Sequence, residues 1–120
     1  MSNKLDKLKN NNTISILFKD GKSINNYPFR LIYLIKEEPK NGSFFVSIAK
    51  KKFKKAVDRN RIRRQIVEAI KSKGVYSSKT TKEVLFCVSY IGSKKPTFSA
   101  IEKGLKETFR IFSEKHLKNE

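Results

Sequence analysis

Nine of the fifteen residues from Lys50 to Arg64 are lysine or arginine, and Asp58 is the only acid among them. A block like this usually marks a solvated tail. Here it runs directly into Ile62, Ile66, Ala69 and Ile70, apolar at i, i+4, i+7 and i+8. At about 100° per residue those side chains share one helical face, while Asn60, Arg61, Arg64 and Glu68 fall on the opposite one. Arg59 and Arg63 lie nearer the apolar edge. The chain must therefore fold so that a dense positive surface is held up by a packed helix.

The residue types divide the block by chemistry. Lys50, Lys51, Lys52, Lys54 and Lys55 put point charges on flexible stems, suited to general attraction of phosphate. The arginines offer planar forks for bidentate phosphate contact or for stacking on a base. Asn60 can read a base edge or hold a neighbouring arginine in place. Over the whole chain, 28 Lys and Arg face 11 Asp and Glu, a formal charge of +17. A domain this cationic repels itself, so a polyanionic partner is expected, nucleic acid before an anionic membrane.

Other classes of function lose support along the chain. No apolar run approaches the roughly 18 residues of a spanning helix, and the polar start has no apolar segment of the secretory kind. No membrane partner is expected, and the cytoplasm follows as the expected location. Cys87 is the only cysteine, set within Val84-Leu85-Phe86-Cys87-Val88, and reads as a buried core thiol. His116 is the only histidine and reads as a surface residue near the end of the chain. No Cys/His cluster has metal-ligand spacing and the five glycines form no phosphate loop, so no catalytic residue is assigned.

The order of elements predicts one α+β domain over 13–115 behind a flexible polar tail, 1–12. Thr13 is placed to cap a helix carrying Ile14, Leu17 and Phe18, ended by Asp20-Gly21, although Ile14-Ser15-Ile16 also suits a strand. Residues 27–36 alternate Tyr27, Phe29, Leu31, Tyr33 and Ile35 onto one face and read as a strand. After a turn over 37–42, residues 44–49 read as its return partner in a hairpin-like pair. The basic helix is closed by Gly74, a loop follows over 77–81, and Glu83 to Tyr90 makes another strand. In the last helix Phe98, Ile101, Leu105, Phe109 and Phe112 form a core stripe. Ser99 and Glu102 offer a capping box there, with Thr97 as the alternative cap. A sheet with helices packed on one side is expected, an α+β sandwich.

Ile48-Ala49-Lys50-Lys51, then Ala56, then Arg59-Asn60-Arg61-Ile62-Arg63-Arg64 resembles the signature of the bacterial ribonuclease P protein family. The similarity covers roughly residues 13–112, resting on pattern rather than identity outside 48–66. It implies that Arg59, Asn60, Arg61, Arg63 and Arg64, with the lysines before them, dock on the catalytic ribonuclease P RNA. It implies an α/β sandwich with a mixed sheet of about four strands and a left-handed βαβ crossover containing this helix, against the usual handedness. It also implies a cleft between the first helix and the sheet for the single-stranded 5′ leader of precursor tRNA. Phe18 matches an aromatic of that cleft, and Ile14 stands where the family has another. Phe29 or Tyr33 is expected on the strand side, with core packing as the alternative for each ring and for Phe18. Val67 replaces a frequent basic residue, and Phe44-Phe45 a frequent glycine. The protein side chains are expected to bind no cofactor, Mg²⁺ accompanying the partner RNA, and the free protein is expected to be a monomer. The rival readings are a ribosomal or other structural RNA-binding protein, and a DNA-binding regulator using residues 56–71.

Overall fold

The computed structural model describes residues 5–7, 11–36, 42–72 and 83–116. Eight elements follow one another: β1 (Leu5–Lys7), α1 (Asn11–Asp20), β2 (Lys22–Asn26), β3 (Phe29–Lys36), β4 (Gly42–Ile48), α2 (Ala56–Lys71), β5 (Glu83–Tyr90) and α3 (Phe98–His116). The strands form one mixed sheet in the order β1-β4-β5-β3-β2. Four longer strands carry the sheet, with the three-residue β1 added parallel to β4 at its edge. Leu5–Lys7 is thus strand where the sequence reads as a flexible tail. The fold class is α+β, as expected.

The hairpin-like pairing expected for β3 and β4 is corrected. β5 lies between them, antiparallel to β3 and parallel to β4. β4, α2 and β5 therefore form a βαβ crossover between neighbouring strands. Antiparallel β2 and β3 are joined instead by a tight turn at Tyr27-Pro28, with Asn26 opposite Phe29. The one-sided arrangement of helices is corrected too. α2 and α3 cover one face of the sheet, and α1 packs on the other against β3 and β5.

Strand alternation produces this division. Phe29, Leu31, Tyr33, Phe44, Val46, Ile48, Val84, Phe86 and Val88 join the stripes of α2 and α3 in the main core. The intervening Leu85 and Cys87 meet Leu17 of α1 in a second, smaller cluster. β5 is buried on both faces, so it reads as a continuous apolar run. Burial pushes the Cys87 thiol up to about 11, leaving it protonated and poorly nucleophilic near neutral pH.

Helix ends fit their local chemistry. α1 begins at Asn11, two residues before the expected cap Thr13, and stops at Asp20. The Gly21 amide then donates to the Leu17 carbonyl at 2.8 Å. A Cβ on Gly21 would lie 2.3 Å from that same oxygen, so only glycine fits. α2 ends at Lys71 with Ser72, whose hydroxyl bonds the Ala69 carbonyl at 2.8 Å; the expected stop at Gly74 and the 77–81 loop lie outside the described residues. In α3 the alternative cap is the one used, the Thr97 hydroxyl accepting from the Ala100 amide at 3.1 Å. Glu102 instead accepts from Ser72, tying α3 to the end of α2. His116 is the last residue of α3, and its side chain lies outside the described residues.

Gly104 sets how closely α3 approaches the sheet. A Cβ there would stand 2.5 Å and 2.9 Å from two carbons of the Phe29 ring. A helix interior ordinarily gains about 1 kcal/mol on replacing glycine by alanine, whereas overpacking costs about 1–3 kcal/mol. Gly104→Ala is thus expected to lower stability by up to about 2 kcal/mol in urea unfolding. An unchanged or raised midpoint would mean that the Phe29 ring can move aside.

Candidate nucleic-acid interface

α2 presents its basic face because its apolar stripe is engaged. Ile62, Ile66, Ala69 and Ile70 are buried, and Asn60, Arg61, Arg64 and Glu68 are exposed on the other side. Arg59 and Arg63 are half-buried at the edge, as the helical wheel predicts. The four arginines are not equivalent. One Arg59 Nη1 donates to the carbonyls of Phe53 at 2.8 Å and Lys54 at 2.9 Å. Arg63 donates to the Asn60 side chain at 3.1 Å. Among the described residues Arg61 and Arg64 meet no hydrogen-bond or ion-pair partner, so their forks are open to an incoming anion.

The lysine run before α2 has a fixed backbone. The amides of Lys52 and Phe53 both reach the Ala49 carbonyl at 3.3 Å. Phe53 is buried and packs beside Tyr90, ring centroids 6.0 Å apart. Lys52 Nζ donates to the Ile91 carbonyl, and Arg59 holds the loop from the helix side. Lys50, Lys51, Lys54 and Lys55 stay exposed on this anchored loop, continuous with the arginine face. Arg59 and Asn60 thus hold neighbouring groups in place, which charge alone does not reveal.

The opposite face of the sheet carries a second surface. Across β4, β5 and β3 the register aligns Phe45, Cys87 and Ile32 in one row and Ser47, Ser89 and Arg30 in the next. α1 covers part of these rows through Leu17. Phe18 stands at the rim, 50% exposed, and meets Phe45 edge-on with centroids 5.6 Å apart. Ile14 is half-buried on the same helix, and Arg30 is exposed. A half-covered aromatic pair, small hydroxyls and one guanidinium suit an unpaired strand with stacked bases and a following phosphate.

Phe29 and Tyr33 do not belong to this cleft, and the expectation for them is corrected. They are 1% and 2% exposed on the α3 side of the sheet. Tyr33 packs edge-on against Phe112 and Phe29 against Tyr90. Successive strand residues face opposite ways, so Arg30 and Ile32 take the strand-side positions. Arg30, Ser47 and Ser89 carry no expected role from the sequence, and Phe45 stands there only as a replacement for a frequent glycine. Their signal is the polar half of the alternation in β3, β4 and β5, usable once the face under α1 is known.

Among the described residues no three His, Cys, Asp or Glu side chains come together as a metal would need. Nor is any described helix long and apolar enough to cross a membrane.

A family model described as Ribonuclease P matches residues 2–113. The chain is similar to the ribonuclease P protein component of Clostridioides difficile (strain 630), 32% identical over 104 residues, covering 87% of this chain and 89% of that one. It is 27% identical over 111 residues to the ribonuclease P protein component of Porphyromonas gingivalis (strain W83 among others), covering 88% and 81%. Among solved structures, the Staphylococcus aureus RNase P protein superposes with a TM-score of 0.69 at 24% identity, over 91% of this chain and 96% of that one. The Thermotoga maritima RNase P protein does so with a TM-score of 0.65 at 20% identity, over 88% and 96%. These last two likenesses concern the fold.

Proposed function

The chain belongs to the ribonuclease P protein family, and we propose that it is the protein subunit of ribonuclease P, binding the catalytic RNA through α2 and the 5′ leader of precursor tRNA through the cleft under α1. The observation that carries this reading is the double use of β4. Phe44, Val46 and Ile48 support the core beneath α2, while Phe45 and Ser47 floor the cleft. The Lys50–Lys55 loop leaves the end of the same strand. One rigid strand thus links a surface for structured RNA to a surface for single-stranded RNA.

In this proposal the chain supplies affinity and positioning, and the RNA with its Mg²⁺ supplies the chemistry. Water attacks the phosphodiester at the leader junction, leaving a 5′-phosphate on the tRNA and a 3′-hydroxyl on the leader. Arg61, Arg64 and the exposed lysines neutralise crowded phosphates, replacing part of the RNA's ionic atmosphere and lowering its Mg²⁺ requirement. Phe18 and Phe45 take bases by stacking, which tolerates any leader sequence.

The test is cleavage of precursor tRNA at low Mg²⁺ by a bacterial ribonuclease P RNA, with and without the chain. Stimulation is expected with both components and no cleavage with the chain alone. No stimulation at any Mg²⁺ or salt concentration, with both partners folded, would overturn the reading. Phe18→Ala separates the two surfaces. A stacked base is worth about 1–3 kcal/mol, so the variant holoenzyme should bind precursor tRNA about 5- to 150-fold more weakly. Its affinity for leaderless tRNA should be unchanged, and an equal loss on both ligands would remove Phe18 from the leader site.

A further inference from the structure

A cavity of about 360 Å³ opens beside the outer face of α2, where the β5–α3 connection passes. Ile62, Pro96 and Phe98 give it apolar walls, and Asp58, Arg61, Gln65, Lys95 and Thr97 line it with polar groups. The volume is within the usual range for a small-ligand site. It adjoins the arginine face but is chemically unlike it.

Asp58 makes the difference. It is the one acid of the basic block, its side chain is 20% exposed, and Lys95 Nζ lies 3.1 Å from its Oδ1. Lys95 is 60% exposed, and a pair so open to water contributes little to stability. The Asp58 carboxylate repels phosphate, and besides Lys95 Nζ on Oδ1 its favourable partners are further N–H donors. With flat apolar walls, a carboxylate acceptor and the donors of Gln65 and Arg61, the cavity suits a heterocycle bearing adjacent N–H groups.

Resting on the RNA-binding reading above, we propose that this cavity receives one unpaired guanine of the RNA docked on α2. Guanine presents N1–H and N2–H side by side, both able to donate to the Asp58 carboxylate. Its O6 and N7 are acceptors for Gln65 or Arg61. Uracil offers a single N3–H donor flanked by two carbonyls that the carboxylate repels, while cytosine and adenine offer one amino donor beside a ring acceptor. The surface thus holds backbone by charge and selects one base by its edge.

The test compares two RNA heptamers, one all uridine and one with a central guanosine, binding the full chain in fluorescence anisotropy. Both carry the same phosphates, so the general electrostatic contribution cancels in the ratio. The native chain is expected to prefer the guanosine heptamer about tenfold, within the discrimination of a bidentate base contact. Asp58→Asn should reduce the preference to within about twofold without weakening the uridine heptamer, because it removes a negative charge. Gln65→Ala should reduce the preference as well, with thermal melting confirming that both variants fold. Phe18→Ala, across the sheet, should weaken both heptamers and keep the ratio. Equal binding of both heptamers by the native chain overturns the proposal, as does a preference that survives both Asp58→Asn and Gln65→Ala. If precursor-tRNA cleavage is still stimulated in that case, only the guanine pocket is lost. If stimulation is absent too, the ribonuclease P reading fails with it.

Discussion

An Arg61→Ala/Arg64→Ala variant is expected to bind ribonuclease P RNA at least about 100-fold more weakly at physiological salt, on the scale of two charge-assisted hydrogen bonds worth about 1.5–3 kcal/mol each. Both side chains are exposed and meet no partner in the described structure, so little stability should be lost. The salt dependence identifies the mechanism. Each phosphate left without its arginine should flatten the logarithmic slope by about 0.7 to 0.9, and two should flatten it by about 1.5 to 2. Lys103→Ala/Lys106→Ala is the control, removing the same charge from exposed positions on α3. An equal loss of affinity there would reduce the role of α2 to net charge. Arg59→Ala should differ from both, freeing the Phe53 and Lys54 carbonyls and so raising the hydrogen exchange of the lysine loop.

The second large effect concerns the core. Phe86→Ala should destabilise the chain by about 3–5 kcal/mol, the cost of emptying a buried aromatic site. Phe86 is fully buried and meets Phe109 and Phe112 edge-on, with centroids 5.3 Å and 5.1 Å away. Its neighbours across the sheet are Tyr33 and Phe44, so two strands and a helix close around one ring. Domains of this kind have only about 5–15 kcal/mol in reserve, and self-repulsion at +17 draws on it. Circular dichroism in low-salt buffer should show much of the variant unfolded, and added polyphosphate should restore part of the signal by binding the native state. A stability change of less than about 1 kcal/mol would mean that the cluster closes over the gap.

The helices were legible because their period repeats locally. Ile62, Ile66, Ala69 and Ile70 state the buried face of α2 without reference to any other element, and Ile101, Leu105, Phe109 and Phe112 do the same for α3. Strand pairing leaves no such local trace. Nothing between residues 36 and 83 announces that β5 enters between β3 and β4, and proximity along the chain favoured the wrong partner. β2 was missed because Ile24 is its only buried residue. The strand-side cleft residues failed for a related reason. β3 is apolar on both faces, so Tyr33 and Ile32 are distinguished only by knowing which face lies under α1. Arg59 and Arg61 look alike as letters, and the carbonyls that occupy Arg59 come together only when the loop folds.

The late entry of β5 also bears on how the chain is made. β4 gains its long partner only when Glu83–Tyr90 has been synthesised, and β3 has until then only the short β2 beside it. A nascent chain ending near residue 72 already carries the entire arginine helix, but not the strand on which the sheet closes. Until β5 pairs, the chain presents unpaired edges of β3 and β4 together with a dense positive charge. Long-range pairing is slow and exposes such edges to aggregation. Productive folding is therefore expected to require that β5 pair with β3 and β4 before the basic segment is trapped on RNA.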